Sequence, residues 1–206
     1  MQITWLGHAS FKIKTKDKVI YIDPYFGEYD ESADIILISH NHYDHVSMEK
    51  VNQIRVDATQ ILTTAEVVST IYGATTLTDN VELNIDSIKI NTVPMYSRTH
   101  TRGNGLGFII TSENISVYFA GDADLIPEIA QIKADIALLP VGGTYTMNAK
   151  EAAQAAIQIK PKLAIPMHFG SGIVGTIDDA ELFKELVESR SDVKVRILKH
   201  GEIINI

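Results

Sequence analysis

Short apolar segments alternate with polar turns along most of the chain. Phe11-Lys12-Ile13-Lys14 alternates apolar and polar residues with a period of two, the pattern of a half-buried strand. Residues 3–6, 11–15 and 19–22 read as three strands joined by tight turns, one of them Thr15-Lys16-Asp17-Lys18. Ile35-Ile36-Leu37-Ile38 is continuously apolar, as in a strand covered on both faces. A hairpin is predicted within residues 81–93, and a second from 105–111 and 115–120 around Ser112-Glu113-Asn114. Residues 136–140, 162–167, 193–198 and 203–206 complete the strands. Helices are fewer. One starts near Ser47 as N-cap, and one covers 65–72 and stops at Gly73. A third opens on Asn148 with Glu151 three residues on, a capping-box spacing, and runs to about residue 159. The last lies within 176–189, capped by Thr176 or Asp178.

Two apolar strands end on an aspartate: Val19-Ile20-Tyr21-Ile22-Asp23 and Val117-Tyr118-Phe119-Ala120-Gly121-Asp122. Two similar halves suit a sandwich of two sheets with helices outside. No proline-rich or low-complexity linker interrupts the 206 residues, so one domain, 1–206, is expected.

Composition narrows the chemistry. The net charge of -8 offers no basic field for nucleic acid. The absence of cysteine removes disulfides, thiolate metal ligands and thiol nucleophiles. No apolar run approaches the roughly 20 residues of a membrane span. The first residues show no basic stretch followed by an apolar core of a secretory signal, so the cytoplasm is the expected location.

Three of the seven histidines, His40, His42 and His45, fall within six positions with Asp44 among them, directly after an apolar strand. Residues two apart in extended chain point the same way, so His40 and His42 can grip one ion together. Asp44 and His45 come a turn later, facing a neighbouring position. Imidazole with carboxylate suits zinc, and also manganese or iron. Asp122 and His168 also stand at strand ends, where ligands from several strands converge in sheet-based folds, and Gly121 allows close backbone approach.

These residues resemble the metallo-β-lactamase superfamily of hydrolases. His40-Asn41-His42-Tyr43-Asp44-His45 fits its signature, and Asp23, Ala120-Gly121-Asp122 and Pro166-Met167-His168 match its other motif positions in order. Trp5-Leu6-Gly7-His8-Ala9 is similar to the small stand-alone branch with ascorbate-phosphate lactonase and N-acyl-phosphatidylethanolamine phospholipase D. The resemblance implies an α/β fold, an αββα sandwich of two mixed sheets flanked by helices. It implies one metal site from His40 and His42 and a second from Asp44, His45 and His168, bridged by Asp122 and supported by Asp23. One departure stands out. The histidine expected just after a strand like Asn91-Thr92-Val93-Pro94 is replaced by Met95-Tyr96-Ser97. His100 and His8 are the two candidates to complete the first site. His100 reads rather as a loop residue or substrate contact, His8 as closer to the active-site edge, and His200 as a surface turn residue.

The expected reaction is hydrolysis of an ester, lactone or phosphodiester of a small substrate by a metal-activated hydroxide, with one or two divalent ions and Asp44 or Asp122 orienting the nucleophile. Tyr145, His100 and His8 are candidate proton donors. Arg98, His100 and Arg102 lie in a hydroxyl-rich loop suited to a phosphate or carboxylate on the substrate. The alternatives are an iron-dependent oxidoreductase of the sulfur-dioxygenase kind and a non-catalytic metal-binding protein on the same fold. Oligomeric state is left open, a homo-oligomer included.

Overall fold

The structure is a computed structural model describing residues 1–206. Its 14 strands form two seven-stranded sheets. In the first, β1 (Gln2–Gly7), β2 (Ser10–Lys14) and β3 (Val19–Ile22) form an antiparallel meander. From β3 the sheet continues in parallel through β4 (Ile35–Leu37), β5 (Gln60–Thr63) and β6 (Thr75–Thr76). β7 (Glu82–Ile85), β8 (Ile88–Met95), β9 (Gly105–Ser112) and β10 (Ile115–Phe119) are the antiparallel part of the second sheet. Its parallel part is β11 (Ile136–Pro140), β12 (Leu163–Met167) and β13 (Lys194–Val195). The last strand, β14 (Ile203–Asn205), returns to pair antiparallel with β1.

Strand alternation sorts the side chains into layers. Ile20, Ile22, Ile35 and Leu37 join Phe108, Phe119 and Leu138 in the core between the sheets. Their neighbours Tyr21, Ile36 and Ile38 turn outward onto Val51 and Ile54 of α1 (Met48–Ile54) and Val67 of α2 (Ala65–Val68). On the far side α3 (Ala149–Ile159) lays Ala152, Ala153, Ala155 and Ala156 against β11, and α4 (Ile177–Glu188) packs on α3. The result is the expected αββα sandwich.

The helix starts follow the sequence closely. Ser47 caps α1, and the Asn148–Glu151 capping box opens α3. Thr176, not Asp178, caps α4, in a box closed by Asp179. The second helix differs from expectation. It ends at Val68 and not near Tyr72, because Ser69 and Thr70 turn their hydroxyls back onto the carbonyls of Glu66 and Val67. The strand predicted over 193–198 is confined to Lys194–Val195. β5 and β6 were not predicted; Gln60-Ile61-Leu62-Thr63 is too short and mixed to announce a strand by period alone.

Candidate metal centre

The side chains of interest gather where the parallel strands end. β3 ends one residue before Asp23, β4 runs into Ser39-His40, β10 into Gly121-Asp122, and β12 into His168. The two sheet edges meet closely there. A Cβ added to Gly121 would lie 3.2 Å from Met95 and 3.4 Å from the Cβ of Ser39, so glycine is what allows the approach. His8, Asp23 and His168 all hold positive φ, at 52°, 45° and 62°, a conformation rare outside glycine and typical of over-determined functional positions. The surrounding chain holds His168: its N–H donates to the carbonyl of His8 at 2.9 Å, and Gly142 leaves its ring room.

One buried carboxylate organises two of the histidines. Asp23 accepts from Ser39 N at 2.7 Å, Ser39 Oγ at 2.6 Å and His45 Nδ1 at 2.7 Å. With its own hydroxyl proton given to Asp23, Ser39 Oγ accepts from His40 Nδ1 at 2.9 Å. Both rings therefore turn Nε2 inward, the orientation a metal ligand needs. Burial pushes the Asp23 carboxyl up, against the opposing effect of His45 and Ser39. His40 is held well below the ordinary imidazole value, first by burial and then by the neighbouring His45. Burial would also lower His45, but Asp122 and Asp23 outweigh it and hold its pKa well above the ordinary value.

Asp122 stands in the middle. Its Oδ1 is 3.2 Å from Nε2 of both His45 and His168, and its Oδ2 is 3.7 Å from Nε2 of His40. Burial alone would raise this carboxyl; the charges of His168 and His45 prevail and hold it well below the usual carboxylate range. Asp44 is oriented separately. Burial lowers the pKa of His8, so the neutral ring donates Nε2–H to Asp44 Oδ2 at 3.1 Å and accepts the Ser171 hydroxyl at Nδ1, 2.8 Å away.

His100 joins the first cluster. Ser97 and His100 exchange backbone hydrogen bonds in a tight turn, and Ser97 Oγ holds His100 Nδ1 at 2.8 Å. The ring then directs Nε2 to 3.2 Å from His42 Nδ1. The buried His100 ring thus lies beside His40, His42 and Asp122, with its potential ligand atom within reach of theirs. Potential ligand atoms fall into two main groups, His40/His42/His100/Asp122 and His8/Asp44/His45/His168, each within 4.8 Å of one another.

Other candidates lie differently. Tyr145 lines the cleft beside Asp44 and Asp122. Arg98 is paired with Asp124 and Glu151, and Arg102 with Asp79 and Glu128. Neither arginine lines the cleft, and each guanidinium pairs with two carboxylates on the outer surface. His200 is an exposed turn residue whose ring packs on Trp5 and Phe26. Ser39, Ser97 and Ser171 were not singled out in the sequence; only the adjacency of Ser39 to His40 could have suggested one of them.

The family model of the Beta-lactamase superfamily domain matches residues 2–168. The chain belongs to that superfamily. A UPF0173 metal-dependent hydrolase of Caldivirga maquilingensis is 32% identical, the match covering 99% of this chain and 97% of the relative. One from Pyrobaculum islandicum is 33% identical with both chains covered in full, 100% each. Among solved structures, a Parabacteroides distasonis protein provisionally described as a metal-dependent hydrolase superposes with a TM-score of 0.87 at 31% identity, covering 97% of this chain and 93% of that one. The metallo-β-lactamase-fold chain described here is accordingly a metal-dependent hydrolase, and no helix in it is long and apolar enough to cross a membrane.

Proposed function

We propose that residues 1–206 act as one unit that hydrolyses an ester, lactone or phosphodiester bond of a small substrate. One or two divalent ions, zinc foremost with manganese or iron as substitutes, would be held by His40, His42 and His100 on one side. Asp44, His45 and His168 would hold the other side, with Asp122 between. The observation that carries the reading is a set of buried atoms without hydrogen-bond partners: Nε2 of His40, His45 and His168, and Oδ1 of Asp122. Buried polar atoms nearly always find a partner, so orphans converging on one point fit a cation.

A bound divalent ion supplies Lewis-acid stabilisation of developing negative charge and acidifies water to a pKa of about 7. The protein's own residues do the rest. Asp122, with one oxygen towards each cluster, orients the attacking water. Asp44 steadies the same water from the other side, with its carboxylate held by His8. His8 is a positioning residue in this scheme. The Tyr145 phenol, on the wall of the cleft, donates a proton to the leaving oxygen. His100 beside His40 and His42 supports a complete first site, which favours catalysis over the non-catalytic alternative.

The test is elemental analysis of the protein, His100→Ala and His168→Ala after exchange into metal-free buffer. About two equivalents are expected in the parent and about one in each variant, since each loses one of roughly three protein ligands. No bound metal, and none taken up on titration, overturns the reading. A panel of model esters, lactones and phosphodiesters then identifies the bond.

A further inference from the structure

The cleft around His42 has two lobes of opposite character. The first, about 190 Å³, is walled by Tyr43, Tyr145 and Ile173 and reaches Asp44 and Asp122. The second, about 130 Å³, has no hydrophobic residue: beyond His40, His42 and His100 it is lined by Asn41, Glu66, Thr99, Thr101 and Asn104. Both are small beside an ordinary ligand pocket of at least about 300 Å³, so each takes one compact group.

The first lobe is built for a flat or branched apolar group. Tyr43 is 71% exposed and Tyr145 47%, and neither hydroxyl is engaged by the protein, so their ring faces are free. Tyr25 meets the Tyr43 ring edge to face at 6.3 Å and limits its rotation. Ile173 comes from the segment Gly170-Ser171-Gly172-Ile173-Val174-Gly175, whose three glycines all have positive φ. Ser171 ties that segment to His8, which brings the isoleucine over the cleft.

The second lobe carries amide and hydroxyl groups and one carboxylate. Glu66 is exposed and has no ion-pair partner. No lysine or arginine lines either lobe, and Arg98 and Arg102, in the loop that supplies Thr99, Thr101 and Asn104, are each held by two carboxylates elsewhere. Beyond the reach of the metal position, a negatively charged arm would meet Glu66 with no lysine or arginine beside it, whereas a hydroxyl, amide or ammonium arm finds acceptors and donors there.

Resting on the hydrolase reading for the position and kind of the reacting bond, we propose that the substrate carries two unlike parts about that bond. Its aromatic or branched apolar part lies on Tyr43, Tyr145 and Ile173. Its other part, neutral or cationic and polar, lies against Glu66. Tyr145 and Glu66 are the residues that set this selectivity, and an arm ending in a carboxylate or phosphate is disfavoured.

Binding tests this independently of turnover. Unreactive aryl amides carrying a hydroxyl, an ammonium or a carboxylate arm are titrated calorimetrically into the metal-loaded protein, Tyr145→Ala, Tyr145→Phe and Glu66→Lys. The ammonium arm is expected to bind about fivefold more tightly than the carboxylate arm, the range of an exposed ion pair. Glu66→Lys reverses that order. Tyr145→Ala weakens all three ligands about threefold to tenfold, as the loss of an aromatic contact does, and Tyr145→Phe leaves binding unchanged. A tighter carboxylate ligand, an order unmoved by Glu66→Lys, or no binding of any ligand overturns the proposal. If the ligands bind in the stated order but no ester, lactone or phosphodiester with the same two parts is hydrolysed, the hydrolase reading fails and the selectivity of the cleft stands.

Discussion

The first sheet passes from antiparallel meander to parallel strands at the β3–β4 pair, and the second does the same at β10–β11. At the start of these strands the two halves match. Asp34, just before β4, accepts from Val19 N at 2.8 Å and pairs with Lys18, while its own N–H donates to Val19 O. Asp135, just before β11, accepts from Ser116 N at 3.0 Å and pairs with Lys162, while its N–H donates to Ser116 O. At the opposite end they part. Asp23 has its oxygens filled by Ser39 and His45, and Asp122 has an oxygen with no hydrogen-bond partner facing two imidazoles. Where an aspartate only ties strands together, both halves keep the same bonds. Where ligands must be held, one aspartate supports and the other presents.

The largest effect expected from breaking this contrast is at the presenting residue. Asp122→Asn removes the charge shared between the two histidine clusters. Hydrolysis, measured on whichever model substrate the parent turns over, should fall by about a thousandfold or more, equivalent to several kcal/mol of charge stabilisation. The circular dichroism spectrum should be unchanged, because Asp122 holds no strand in place. Retained activity would mean that Asp122 is not the central ligand.

Asp23→Asn comes next. The amide offers Ser39 and His45 a donor where they need an acceptor, so His40 and His45 lose their fixed orientation together. Metal affinity, read by competition with a chelator, is expected to drop about 10- to 100-fold, the usual range for groups that orient a ligand. A loss as large as that of Asp122→Asn would erase the distinction between supporting and presenting.

Much of this was legible in the sequence, and the exceptions have physical causes. The signature from His40 to His45 is local, and strand period, caps and turns are local too, so the ligand string, α3 and both hairpins could be read directly. The aspartate echo was visible but its register was not. The N–H of Asp23 donates to Leu37 O as that of Ala120 does to Leu138 O, so Asp122 lies two residues beyond the position of Asp23. Gly121, with φ of 58°, turns the chain between them. That shift carries Asp122 past the end of its strand, towards the histidines. The position of His100 was hidden for a similar reason. Its reach to His42 depends on the Ser97–His100 turn and on the sheet edges meeting, which no spacing along the chain encodes.

The smallest effect expected is at the matching end. Asp135 is held down to a pKa of about 2 by Lys162 and by the N–H and hydroxyl of Ser116. Because the folded value lies below the ordinary 3.8, the stabilisation is present above pH of about 4. It is lost as the pH falls towards 2, once the folded carboxyl also takes up a proton. Asp135→Asn should therefore cost about 1 kcal/mol in denaturant unfolding at neutral pH, a modest value because Lys162 is well exposed and solvent screens the pair. The difference between parent and variant should shrink as the pH is lowered from 4 to 2. Asp34→Asn should cost less, since Asp34 lacks the additional hydroxyl that Ser116 supplies to Asp135. Neither change should alter metal content. If either did, the strand starts and the metal centre would be coupled, and the separation of tying from presenting would fail.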